Sequence, residues 1–204
     1  MQRWADAERV LVELAGKDLL LGCEVVAPCL VAFAGDRPRF LAFVRGFEQG
    51  AYVKPLTELL ALAAPLDADR LAFSISGRAW SLDDPIPPVT DDVDLRQRVL
   101  CIELLDGSGG RPRRTSVLWP YDLQTAAHGG TPSDVRWGQR RVMPGGQGWI
   151  GEALTYAVSS GARRRMRAPD AEIARQAVRV VTLGHELLLA EDVAERLGLA
   201  AHMA

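Results

Sequence analysis

The sequence predicts an α+β fold, an antiparallel or mixed sheet built from two hairpins plus a strand, with helices packed on one face and a helical C-terminal part. Three observations predict it: helical apolar spacing near the start, two pairs of short apolar segments each joined by turn formers, and helical patterns through the last quarter. The order helix, hairpin, helix, strand, hairpin, helices does not suit a regular doubly wound fold.

Trp4, Ala7, Leu11 and Leu14 recur at helical spacing, so residues 3–17 read as an amphipathic helix covering a sheet face. Residues 29–34 and 39–45 are apolar and flank Gly35-Asp36-Arg37-Pro38, which makes a first hairpin. Leu56, Leu59, Leu60 and Ala63 mark one helix face, and Pro55 suits the first turn, where an N–H has no intrahelical acceptor. Residues 70–76 read as a strand returning to the sheet. The stretch 83–94 sets Pro85, Pro87 and Pro88 between acidic groups and reads as a stiff connection.

A second hairpin is expected from residues 98–105 and 115–119 around Asp106-Gly107-Ser108-Gly109-Gly110. Residues 122–148, rich in Gly, Pro and polar groups, read as a long irregular connection. Helices are expected over 151–159, 170–183 and 190–197, with a strand over 178–183 as the alternative because Val and Leu crowd there. The organisation is thus a sheet core over 1–121, a connection over 122–148 and a helical part over 149–204 packed on the same core.

Composition bounds the function. Hydrophobic residues make up 48% and charged residues 25% of the 204, the balance of a soluble domain that folds by itself. The start lacks the basic and apolar stretches of a secretion signal, and the longest apolar run, 19–34, is broken by Gly22, Glu24 and Pro28. A cytoplasmic protein without membrane spans is the expectation. Cys23, Cys29 and Cys101 sit among apolar residues at spacings that match neither a redox CxxC nor a zinc pair. Lys17 and Lys54 are the only lysines against 22 arginines, a bias expected of a GC-rich bacterial genome.

Charge is unevenly spread. Residues 1–110 hold 11 basic and 17 acidic groups, a balance of −6; residues 111–167 hold ten arginines and three acids, +7; residues 168–204 return −3. The sharpest cluster is Arg163, Arg164, Arg165 and Arg167, which with Trp137 and Trp149 could grip phosphates and stack a base. The same run also suits a solvated turn or an acidic protein partner, and a pI near 5.9 is low for a nucleic-acid binder.

Gly146-Gln147-Gly148-Trp149-Ile150-Gly151 matches GxGxxG ahead of a helix, so Gly146, Gly148 and Gly151 are candidate nucleotide or phosphate contacts. The preceding Arg140-Arg141-Val142-Met143-Pro144 is too short and charged for the buried strand that fingerprint requires, and a glycine turn entering a helix gives the same pattern. His185-Glu186 could pair a general base with its acid, yet sequence neighbours point apart on a helix and no HExxH follows. Asp83, Asp84, Asp91, Asp92 and Asp94 could attract a hard cation or merely solvate a turn.

Residues 190–199, Ala-Glu-Asp-Val-Ala-Glu-Arg-Leu-Gly-Leu, resemble the first helix and turn of helix-turn-helix domains. The family places a recognition helix after that turn. The stretch that follows is too short for one, so a packing helix is expected.

No catalytic set, metal site or cofactor is assigned. The leading expectation is a non-catalytic protein–protein interaction or assembly module, through a protein partner or self-association and without membrane. The alternatives are polyanion or nucleic-acid binding through the arginine cluster, and a nucleotide- or phosphate-binding enzyme using the glycine segment.

Overall fold

A computed structural model describes residues 3–23, 25–44, 53–80, 85, 89–90, 93–109, 111–125, 131–143, 149–159 and 168–203. The fold is α+β. Among the described residues nine strands form one antiparallel sheet and five α-helices pack on it.

The chain enters through a 3-10 turn, Trp4–Asp6, and α1, Ala7–Leu20. The first hairpin is β1, Cys29–Ala34, and β2, Arg37–Phe43, joined by Gly35 and Asp36. Gly35 turns with φ +60°, a conformation glycine adopts without steric cost. Helix α2, Val53–Ala63, then carries the chain over the sheet to β3, Arg70–Ala79, on the far side of β1.

β4, Val89–Thr90, and β5, Val93–Asp94, make a small ladder of their own. The second hairpin is larger than expected, with β6, Gln97–Asp106, against β7, Arg113–Thr125. The stretch read as irregular from 122 onward is a correction. β7 runs on to Thr125, and both β8, Pro132–Trp137, and β9, Arg141–Met143, pair with it. Its inward residues are few, which hid the alternation.

Helices α3, Trp149–Val158, and α4, Asp170–Thr182, follow. The segment 178–183 is helical through Thr182. Ile173, Ala177 and Val180 share one buried stripe, which decides for a helix where β-branched content alone could not. Gly184 at φ +92° closes α4. A strand then appears where two helices were expected to adjoin: β10, Glu186–Leu189, pairs with β2. Helix α5, Glu191–Leu197, ends at the left-handed Gly198. No second helix follows; β11, His202–Met203, closes onto β10.

The strand order is β11-β10-β2-β1-β3-β6-β7-β8, with β9 also on β7. Side chains alternate across this sheet and so feed two cores. Leu30, Ala32, Leu71 and Phe73 face α2, α3, α4 and α5. Val31, Phe33, Ala72, Leu100 and Ile102 face α1, whose Ala7, Leu11, Ala15 and Leu19 repeat every four residues. Helices therefore cover both faces, four on one side and α1 on the other. No described helix is long and apolar enough to cross a membrane.

Candidate interaction surface

The sheet edge formed by β7, β8 and β9 gathers the described part of the basic segment. Two apolar rows anchor it from below. Val135 and Trp137 of β8 stand opposite Leu123 and Tyr121 of β7, on the α1 face. Trp137 meets Trp119 edge-on at 6.4 Å between ring centres and tilts against Tyr121 at 5.4 Å. Gly16 of α1 faces that indole, and a Cβ there would stand 3.8 Å from it, an ordinary packing contact.

Between β8 and β9 the ladder slips. Trp137 pairs with Tyr121 but Arg141 pairs with Leu118, so four steps on one strand match three on the other. This is a β-bulge, placed where Pro120 has no N–H to offer; Gly138 N–H instead donates to the Pro120 carbonyl at 2.7 Å. The bulge turns Arg140 onto α1. Its Nε and Nη2 donate to Glu8 Oε1 and Oε2 at 2.7 and 2.8 Å, and the Trp119 indole N–H donates to Oε1 at 2.8 Å.

The Arg140 hydrogen bond holds the Glu8 carboxyl below its ordinary range, against the opposing effect of partial burial, and Trp119 adds to the lowering. Beside this bridge lies an open cleft of about 340 Å³ lined by Ala5, Glu8, Arg9, Val12, Glu13 and Trp119. Its polar groups pair with each other: Arg9 binds Glu13 and Asp6, and Arg140 binds Glu8.

The opposite side of the same edge is different. Arg114 on β7, Arg141 opposite Leu118 and Arg136 opposite Asp122 occupy every fourth register position, which puts them on one face at intervals of ~13 Å. None of the three forms an ion pair among the described residues. Arg136, Arg141, Val142 and Met143 are all exposed, the last two at 53% and 45%. On the far side of β9 no strand pairs among the described residues.

The other sequence candidates fall as follows. Arg163, Arg164, Arg165, Arg167, Gly146 and Gly148 lie outside the described residues, as do His128, Asp83, Asp84, Asp91 and Asp92. Gly151 is buried in the first turn of α3, and a Cβ there would overlap the Arg114 guanidinium. Trp137 belongs to the aromatic cluster under α1. His185 is buried before β10, while Glu186 contacts His202 Nε2 at 3.0 Å. Asp94 is committed to Arg96 and Arg78; the Arg96 side-chain hydrogen bond first, then its backbone N–H and the two charges, hold its carboxyl down at about 2.

Among the described residues no three His, Cys, Asp or Glu side chains converge as metal ligands. Cys29 is buried, and burial raises its thiol well above the ordinary range. Glu8, Trp119 and Arg140 were not singled out from the sequence, because 132 residues separate Glu8 from Arg140 and no local pattern joins them. The alternation of Val135 and Trp137 with Leu123 and Tyr121 was the one available signal for this edge. No protein-family model matches the chain, and neither a curated protein nor a solved structure matches it.

Proposed function

We propose that this protein is a non-catalytic protein–protein interaction module that engages its partner through the β8–β9 edge. The observation supporting the reading is the combination on that edge of exposed Val142 and Met143 with backbone groups and Arg136 and Arg141 guanidiniums that find no partner among the described residues. Exposed apolar groups rimmed by arginine are the composition of interface patches, in which Arg and Met are enriched. Arg70, by contrast, is shared by Asp36, Asp106 and Ser108 and ties two turns to the start of β3.

The test compares immobilised wild-type protein with an Arg136→Glu/Arg141→Glu variant in capture from cell extract, with melting temperature as the folding control. Proteins retained by the wild type and lost by an equally stable variant support the reading. The same proteins on both, or none on either, refute it.

A further inference from the structure

Within that reading, we infer that β9 accepts an extended acidic segment of another protein as an added antiparallel or parallel strand, with carboxylates meeting Arg136 and Arg141 and apolar side chains meeting Val142. The backbone comes first. In β7 successive residues turn their N–H and C=O to alternate edges, and the Gly138–Pro120 hydrogen bond shows that Pro120 faces β8 and β9. Leu118 and Ser116 therefore do the same, and their partners Arg141 and Met143 spend their backbone groups on β7. Val142 between them presents its N–H and C=O outward.

The β8 half of the edge is defended against strand addition by Pro132, by Asp134 and by the bulge. β9, Arg141–Met143, holds neither a proline nor an acid. Its Val142 lies on the α1 face and its Arg141 and Met143 on the other, all exposed, so an incoming strand meets an apolar group on one side and a cation on the other. Strand addition draws affinity from the main chain and specificity from alternate side chains. The occupant that fits alternates acidic and apolar residues.

Charge argues against a second copy of this chain. In a twofold pairing centred on Val142, Arg141 would be a diagonal neighbour of its own copy, ~8 Å away on the same face, where like charges repel. It also argues against nucleic acid. Arg136 and Arg141 are four register positions, ~13 Å of strand, apart, and Met143, Asp122 and Asp134 share their face, so no continuous basic track runs along it.

The probes are three labelled nine-residue peptides of alternating Val with Glu, Gln or Lys, plus a single-stranded DNA nonamer, read by fluorescence anisotropy at low and raised salt. The Glu peptide is expected to bind about tenfold more tightly than the Gln peptide, more weakly as salt rises, and the Lys peptide not at all. Val142→Pro removes the outward N–H without touching the ladder to β7, and it should abolish binding at an unchanged melting temperature. Should that variant unfold, slowed amide exchange at Val142 in the wild-type complex and loss of binding in R141E carry the decision.

Equal affinity for the Gln peptide, tighter binding of the DNA, a concentration-dependent dimer that competes with peptide, or unaltered exchange at Val142 would each overturn the inference. Such results leave the broader reading standing if captured proteins still depend on Arg136 and Arg141. Loss of that dependence defeats both.

Discussion

Gly107 shows how little tolerance a single position can have. A Cβ there would stand 2.9 Å from the Asp69 carbonyl and 3.0 Å from Val158, and Gly107 N–H already donates to that carbonyl at 2.7 Å. Gly107→Ala is expected to cost about 1–3 kcal/mol because backbone rather than a mobile side chain must yield. Gly109, with nothing within 4 Å of its Cβ, should accept alanine without loss. Urea unfolding of the two variants separates them. The turn cluster over 106–110 announced a loop, yet not that one of its glycines presses on the chain 38 residues earlier.

The thiols are ranked by their surroundings. Cys23 is exposed, Cys101 is half-buried with its thiol raised to about 11 by burial, and Cys29 is enclosed. A thiolate-specific reagent at neutral pH should label Cys23 rapidly, Cys101 slowly and Cys29 only on unfolding, since the thiolate is the reacting form. Mass spectrometry over a time course reads the order. Apolar sequence neighbours favour burial at all three positions, but at Cys23 the loop after α1 leaves the side chain in solvent.

At the scale of elements, the Glu8 bridge is the polar fastening between α1 and the sheet edge. Its pH dependence has a definite sign. Because folding lowers the Glu8 pKa, its contribution is complete above the ordinary value near 4.5 and disappears as pH falls through the lower folded value. Glu8→Gln should therefore destabilise by about 1 kcal/mol or less at pH 7, Arg140 being partly in water, and the difference from wild type should vanish in acid. Thermal melts of both proteins at pH 7 and pH 3 decide it.

The apolar half of that contact is larger. Leu11→Ala is expected to cost ~2–5 kcal/mol, whereas exposed Leu21→Ala should change stability by under about 0.5 kcal/mol. Helix α1 was legible from Trp4, Ala7, Leu11 and Leu14, but amphipathicity states only that a helix covers something. Which face it covers depends on the parity of Val31 and Phe33, settled by long-range pairing. β8 escaped notice for a related reason: of Pro-Ser-Asp-Val-Arg-Trp, only Val135 and Trp137 face inward.

For the whole molecule, the class and the antiparallel sheet were readable because hairpins are local. The placement of β10 was not, since its partner β2 is more than 140 residues away and only four residues pair. The candidate surface was half readable: the arginines were counted, but their alignment every fourth register position required β7, β8 and β9 to be assembled first. The two cores share strands β1, β3 and β6, so neither can melt alone. Near-ultraviolet circular dichroism, sensitive to Trp119 and Trp137 on the α1 side, and the far-ultraviolet helix signal should report one midpoint in urea. Separate midpoints would show that the faces unfold independently.

The strict alternation of β1 and β3 between two interiors also limits how this gene can be edited. Adding or deleting one codon inside either strand would exchange the contents of both cores at once, sending Leu30 and Phe73 toward α1 and Phe33 and Ala72 toward the other helices. Reporter tags and split-protein junctions belong instead at Gly109, where the chain is exposed and no ladder must keep count.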